Sequence, residues 1–120
     1  MNSLNKKIQD ILQNIADALN EKFRDQNGDI DSPDSFYNYV TDVLDTEYRV
    51  DKQHRLRSVE LCIALGGPNI YIDTADNCIK LFWGGETAEH WISTEISEEI
   101  NEIYENLYFD GYGYAPGLYA

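Results

Sequence analysis

Basic residues are nearly absent from the second half of this 120-residue chain. After Arg57 the sequence has one lysine, Lys80, and no arginine, against eleven aspartates and glutamates, so this half supplies most of the net charge of −13. Affinity for nucleic acid rests on phosphate neutralisation by Lys and Arg, and anionic membranes attract the same side chains. We therefore expect no direct binding to nucleic acid or to membranes. Such an acidic surface either maintains solubility or attracts a cationic partner.

Histidine and cysteine, which often perform catalysis or bind metals, are also scarce. The only histidines are His54 and His90, and neither stands at a metal-ligand spacing or in a nucleophile pattern. The sequence thus predicts no catalytic site, no metal and no cofactor. The only cysteines, Cys62 and Cys78, lie in strand-like runs. We expect them to be buried free thiols of a cytoplasmic protein, with a disulfide as the alternative. No apolar run is long enough to span a bilayer.

One acidic segment has the composition of a calcium site without its spacing. Residues 25–31 read Asp-Gln-Asn-Gly-Asp-Ile-Asp. An EF-hand loop that began at Asp25 would need glycine at its sixth position and a bidentate acid at its twelfth. Those positions hold Ile30 and Phe36. We interpret the segment as an Asn-Gly turn that leads into a helix cap.

The hydrophobic pattern predicts an α+β domain. Apolar residues repeat with the helical period near both ends of the chain and at every second position between them. Gly- and Asn-containing turns divide the alternating part, which indicates a three-stranded antiparallel sheet with a possible short fourth strand. The expected order is α-α-β-β-β-α, in one domain of residues 1–110 followed by a flexible Gly/Tyr-rich tail at 111–120. The predicted helices are 3–24, 33–45 and a last one that opens at Thr94 or Ser97; the predicted strands are 57–65, 70–74, 78–83 and the short 90–92.

The last predicted helix carries the strongest candidate for a binding surface. Its glutamates at 95, 98, 102 and 105 are spaced three, four and three residues apart, which places them on one outward stripe. Neighbours at this spacing lie about 5–6 Å apart, comparable to the phosphates of a nucleic-acid backbone. A merely solvated helix face is the alternative interpretation. The acids that we predict to contact a partner are Glu86, Glu89, Glu95, Glu98, Glu99, Glu102 and Glu105.

Tyrosines gather towards the C-terminal end of the sequence, among glycines. Tyrosine supplies a large contact area at a low entropic cost and is enriched in protein interfaces. We therefore predict Tyr108, Tyr112 and Tyr114 as further partner contacts, in a segment that orders on binding. A tail that folds back over the sheet or stays disordered is the alternative.

The only basic cluster lies in the loop after the predicted second helix and at the start of the first predicted strand. We expect its members to pair with acids of the same chain or to face solvent, with a phosphate contact as the minority interpretation. The cluster comprises Arg49, Lys52, His54, Arg55 and Arg57.

The run from Val59 to Thr74, VELCIALGGPNIYIDT, together with the run from Ile79 to Trp83, IKLFW, resembles small proteins of phages and integrative elements of Gram-positive bacteria. With its size and acidity, the whole chain resembles the anti-CRISPR and anti-restriction class. This resemblance implies a non-enzymatic inhibitor in the bacterial cytoplasm that occupies a cationic nucleic-acid-binding surface of a defence nuclease, such as Cas9. The alternative is a protein–protein adaptor or regulator of a mobile element that binds through its sheet face or its Tyr-rich tail.

Overall fold

The computed structural model describes residues 3–22 and 33–112. This part of the chain contains three α-helices and five β-strands, with one π-helical turn, Ala18–Lys22, directly after the first helix. In chain order the elements are α1 (Ser3–Asp17), α2 (Pro33–Thr41), β1 (Asp45–Val50), β2 (Leu56–Ala64), β3 (Asn69–Asp73), β4 (Cys78–Trp83), β5 (Glu86–Trp91) and α3 (Thr94–Tyr112).

The strands form one antiparallel sheet in the order β1-β2-β3-β4-β5, so each strand pairs with the next one along the chain. The α+β class is confirmed, but the prediction of a three-stranded sheet with the order α-α-β-β-β-α is wrong. Strand β1 was missed, and β5 extends the short strand predicted at 90–92 to six residues. Both are edge strands with mostly polar side chains, and their pairing with β2 and β4 rests on backbone hydrogen bonds that no hydrophobic pattern reveals.

Helix α2 ends four residues earlier than the predicted 33–45. The N–H of Leu44 donates to the carbonyl of Cys62 at 2.8 Å, so the chain has already joined β2 at this point. The helical period predicts Leu44 on the same inner face of this helix as Phe36 and Val40, but the side chain of Leu44 is 63% exposed. Sheet pairing therefore overrides the helical period in this segment.

All three helices contribute to a single core on one side of the sheet. The register aligns Leu61, Ile72 and Ile79 on that side, and none of them is exposed. The hydroxyl of Tyr104 donates to the carbonyl of Val40 at 2.6 Å, which joins α3 to α2 within this layer. The buried helical side chains of the core are Ile8, Leu12, Ala16, Leu19, Phe36, Val40, Ile96, Ile100 and Tyr104.

The hairpin between β4 and β5 has the tight two-residue turn that its glycines predict. Gly84 and Gly85 have φ angles of 58° and 83°, in the left-handed region. Glycine adopts this region without the steric cost that other residues meet, and two such residues join antiparallel strands in the sense of the sheet twist. This turn sets Trp83 opposite Glu86 and thereby fixes which residues of β5 face away from the helices.

Candidate functional site

The outward side of α3 presents the predicted acidic stripe. Its four glutamates are exposed, while Ile96, Ile100 and Tyr104 on the opposite side of the helix are buried in the core. The helix carries six acidic residues and no lysine or arginine. We call the exposed glutamates the α3 stripe; it consists of Glu95, Glu98, Glu102 and Glu105.

The start of α3 is capped by a residue that the sequence interpretation missed. The hydroxyl of Ser93 accepts a hydrogen bond from the N–H of Ile96 at 3.1 Å, three positions on. This is the usual role of a serine N-cap, which satisfies one of the free N–H groups of the first turn. Thr94 is therefore the first helical residue rather than the cap, and the orientation of the stripe is set from Ser93 onwards.

The sheet cations Arg49 and Lys80 pair with acids of the sheet. Among the side chains that the structure describes, Glu98, Glu102 and Glu105 take part in no ion pair, whereas Arg49 and Lys80 are bonded to acids of the sheet. Three of the seven predicted acids lie elsewhere. Glu86 and Glu89 are on edge strand β5, and Glu99 is only partly exposed at the flank of α3.

The predicted tyrosine contacts divide between the folded domain and the end of the chain. The ring of Tyr108 is partly buried, and its centroid lies 5.5 Å from that of Tyr48 in β1, so Tyr108 helps to pack α3 on the sheet. Tyr112 is the last residue of α3. Residues 111 and 112 of the predicted tail are thus helical, and Tyr114 lies outside the described residues together with the rest of that segment.

The side of the sheet that faces away from the helices is a second candidate surface, which we call the open sheet face. Its centre is Asp73, whose side chain is only 2% exposed. Arg49 holds this carboxylate with two hydrogen bonds, Nη1 to Oδ1 at 2.9 Å and Nη2 to Oδ2 at 3.1 Å. Lys80 Nζ lies 3.1 Å from the same Oδ2, and the N–H of Ala75 donates to Oδ1 at 2.9 Å. Each carboxylate oxygen therefore has at least two partners.

These contacts determine the charge of Asp73. Burial alone would raise the pKa of its carboxyl, but the hydrogen bonds from Arg49, Lys80 and Ala75 outweigh that effect and lower the pKa to about 2. The pKa of the Lys80 ammonium group changes in the opposite direction. Its hydrogen bonds to Asp76 and Asp73 raise this pKa, and together they outweigh burial, which would lower it. Both groups are consequently charged across the physiological range, as a structural ion pair requires.

Aromatic side chains flank this ion-pair centre on the open sheet face. Phe82 on β4 is 43% exposed and Trp91 on β5 is 73% exposed. The rings of Tyr71 and Phe82 meet edge to face, with their centroids 5.9 Å apart. The register places Trp91 beside Cys78 and Phe82 beside Thr87, on the same side of the sheet as Asp73. These exposed rings offer apolar contact area to a partner.

The three arginines of the basic cluster pair with acids of the chain, which is one of the two arrangements that the sequence analysis expects. Besides the contacts of Arg49, the guanidinium groups of Arg55 and Arg57 lie 2.9 and 3.8 Å from the carboxylate of Asp51 in the β1–β2 connection. A hydrogen bond from the backbone of Arg55 is the main cause that lowers the pKa of Asp51. The side chains of Arg55 and Arg57 thus help to hold the connection between β1 and β2.

Both cysteines are free and buried, in agreement with the prediction of unpaired thiols. Burial raises the pKa of the Cys78 thiol to about 11 and also raises that of Cys62. Because the thiolate is the reactive form of cysteine, these thiols are poor nucleophiles near neutral pH.

Within residues 3–22 and 33–112, no three His, Cys, Asp or Glu side chains come together as a metal site. The calcium-like segment 25–31 lies outside the described residues. None of the described helices combines the length and the hydropathy that are needed to cross a bilayer. Comparison with protein-family models, with curated proteins and with solved structures found no significant match.

Proposed function

We propose that this chain is a non-enzymatic binding protein that presents the α3 stripe to a basic surface of another protein. The observation that supports this proposal is the contrast in charge pairing between the sheet and α3. The sheet cations Arg49 and Lys80 are bonded to sheet acids, while α3 carries six acids and no base of its own. The stripe therefore projects a negative potential that a partner rich in Lys and Arg would neutralise.

The geometry of the stripe suits a groove that normally holds nucleic acid. Glutamates three and four residues apart on a helix have Cβ atoms about 5–6 Å apart, which lets their carboxylates adopt a spacing close to that of backbone phosphates. Guanidinium and ammonium groups that are spaced for phosphates can thus bind these carboxylates instead. We propose a bacterial defence nuclease as the partner, with Cas9 as the candidate to test first, and blockage of its nucleic-acid groove as the mode of inhibition.

A binding assay with guide-loaded Cas9 tests this proposal. We expect the triple variant E98Q/E102Q/E105Q to associate about tenfold more slowly at low salt, because electrostatic steering acts mainly on the association rate. The measurement is the association rate constant at about 50 mM and at about 500 mM salt, where screening weakens the attraction. A chain that inhibits by occupying the groove titrates the nuclease one to one, whereas an enzyme would act at substoichiometric amounts.

A matched control removes the same number of charges from other exposed sites. The variant D10N/D42N/D45N changes three exposed acids outside α3 and should retain most of the association rate. If both triple variants lose rate equally, the effect comes from overall charge and the stripe is not the binding site. If neither variant loses rate, the α3 stripe is not the binding site. If wild-type protein does not bind, the nuclease proposal is wrong.

The second candidate function is that of a protein–protein adaptor, and the exposed rings of the open sheet face favour it. Apolar contacts through Phe82 and Trp91 would survive at salt concentrations that abolish binding through the α3 stripe. The Tyr-rich end of the chain is the other binding segment that the sequence predicts for an adaptor, and deletion of residues 113–120 tests that alternative. Complexes that persist at high salt after that deletion would indicate the sheet.

A further inference from the structure

The exposed rings of the open sheet face are held in defined positions by the sheet. Phe82 pairs with Asn69 on one side and Thr87 on the other, and its ring rests against Tyr71 at 5.9 Å. Trp91 pairs with Cys78 and keeps 73% of its surface exposed. A partner that covers these rings removes apolar surface from water without first having to order a flexible segment.

The charged side chains at the centre of the same face already pair with one another. Asp73 is bonded to Arg49 and Lys80, and Lys80 also reaches the carboxylate of Asp76 at 2.8 Å. Burying unpaired charges is costly, whereas charges that already form hydrogen bonds with each other need less from a partner. The centre can therefore be covered by another protein without supplying the main attraction.

The rims of the face carry negative charge. Glu47 lies on edge strand β1, where its side chain is 66% exposed although one carboxylate oxygen lies 3.6 Å from Arg49 Nε, and Glu89 is exposed on edge strand β5. The register places Glu89 directly beside Lys80 and Glu47 beside Glu60, so both rim acids lie on the open side of the sheet. Acids on both rims repel phosphate groups and favour Lys and Arg.

The charge of the rims therefore indicates which kind of molecule can bind the open sheet face. Nucleic acid and anionic lipid are disfavoured by the rims, and a second copy of the chain would bring another net charge of −13 to the interface. We propose that the open sheet face binds a basic polypeptide, which packs apolar side chains on Phe82 and Trp91 and sets Lys or Arg against Glu47 and Glu89. This inference rests on the second candidate function, and it defines the chemistry of the partner.

The α3 stripe and the open sheet face point in opposite directions, because α3 lies on the helical side of the sheet. A flat basic surface can thus engage one of them at a time. It follows that the two surfaces bind independently and that neutralising one should leave the other unaffected.

NMR spectroscopy of the full chain, with a short synthetic peptide that alternates lysine and leucine as the probe, tests this inference. We expect saturable shifts of the Trp91 indole and of the amides of Phe82, Thr87 and Glu89. A peptide that alternates lysine and serine has the same charge without the apolar groups, and it should bind at least tenfold more weakly. Equal binding of both peptides, or shifts confined to α3, would overturn the proposal.

Variants then separate the open sheet face from the α3 stripe. F82S/W91S should weaken binding of the lysine–leucine peptide by about tenfold or more, while L65S, which alters an apolar residue that is 60% exposed in the β2–β3 turn, should not. Should the double variant fold poorly, T87K offers a second test, since it adds a repelling cation next to Phe82. Unchanged affinity in a folded F82S/W91S or T87K variant would contradict the proposal.

The variant E98Q/E102Q/E105Q should still bind the lysine–leucine peptide. A loss of binding through the open sheet face can therefore be distinguished from a loss of binding through the α3 stripe.

Discussion

Acidic side chains have different surroundings on the open sheet face and on the outward side of α3. On the sheet, Asp73 is buried and is held by Arg49 and Lys80, so its charge contributes to the fold. On α3, six acids occur without a base on the same helix, and four of them form an exposed stripe. The acids of this chain therefore include some that stabilise the domain internally and others that are exposed to the surroundings.

This difference makes the two regions separable by mutation. An acid that shares hydrogen bonds with buried or half-buried cations cannot be neutralised without leaving those cations unsatisfied. An exposed acid on a helix surface contributes little to stability, and its removal relieves repulsion from its neighbours. Stability measurements should thus respond strongly to changes at Asp73 and hardly at all to changes in the α3 stripe.

The largest effect on stability is expected for D73N. The amide keeps the size of the carboxylate but removes the charge that Arg49 and Lys80 share, so we expect a loss of about 3 kcal/mol in the free energy of unfolding. Urea denaturation measures it. D76N is the matched control, because Asp76 also contacts Lys80 but is 60% exposed, and it should cost less than about 1 kcal/mol. Equal losses in the two variants would show that burial of Asp73 does not set its importance.

The pH dependence of stability should show a somewhat smaller effect of the same carboxylate. The pKa of Asp73 is lowered from an ordinary value of 3.8 to about 2 in the folded state. Its contribution is therefore fully present above about pH 4 and is lost as the pH falls through about 2, by about 2 kcal/mol in total.

Urea denaturation of wild-type protein and D73N between about pH 5 and pH 2 measures this contribution. Other carboxylates titrate in both proteins, so the difference between the two curves isolates Asp73. The stability gap between them should narrow as the pH falls. A gap that stays constant would mean that Asp73 is not the group that titrates.

The elements whose apolar residues repeat with the helix or strand period could be predicted from the sequence. The elements that depend on how the strands pair could not. Apolar spacing placed α1, α3 and the three central strands, because each buries a continuous side that must repeat with the helix or strand period. Strand β1 has no such pattern: only Tyr48 and Val50 among its six residues are clearly apolar. Strand β1 forms because β2 supplies hydrogen-bond partners for its backbone, and the local sequence of β1 does not indicate this pairing.

The same distinction applies to the candidate sites. The α3 stripe could be predicted because its members lie three and four residues apart on one helix. Arg49 and Asp73 are 24 positions apart, and only the strand register brings them to 2.9 Å. The sequence showed Arg49 as part of a basic cluster and gave no sign of its partner. The open sheet face was likewise invisible until the helices were known to share one side.

The smallest expected effect on stability is also the most informative about α3. Replacing Glu98, Glu102 and Glu105 by Gln removes repulsion between neighbours worth about 0.2–0.5 kcal/mol per pair, so the variant should be as stable as wild type or slightly more stable. Urea denaturation at low salt, where this repulsion is least screened, is the appropriate measurement. A loss of more than about 1 kcal/mol would mean that these carboxylates hold the fold together as Asp73 does. Suppose that the variant is more stable than wild type and also associates more slowly with a basic partner. The charges of the α3 stripe would then contribute to binding and not to the stability of the fold.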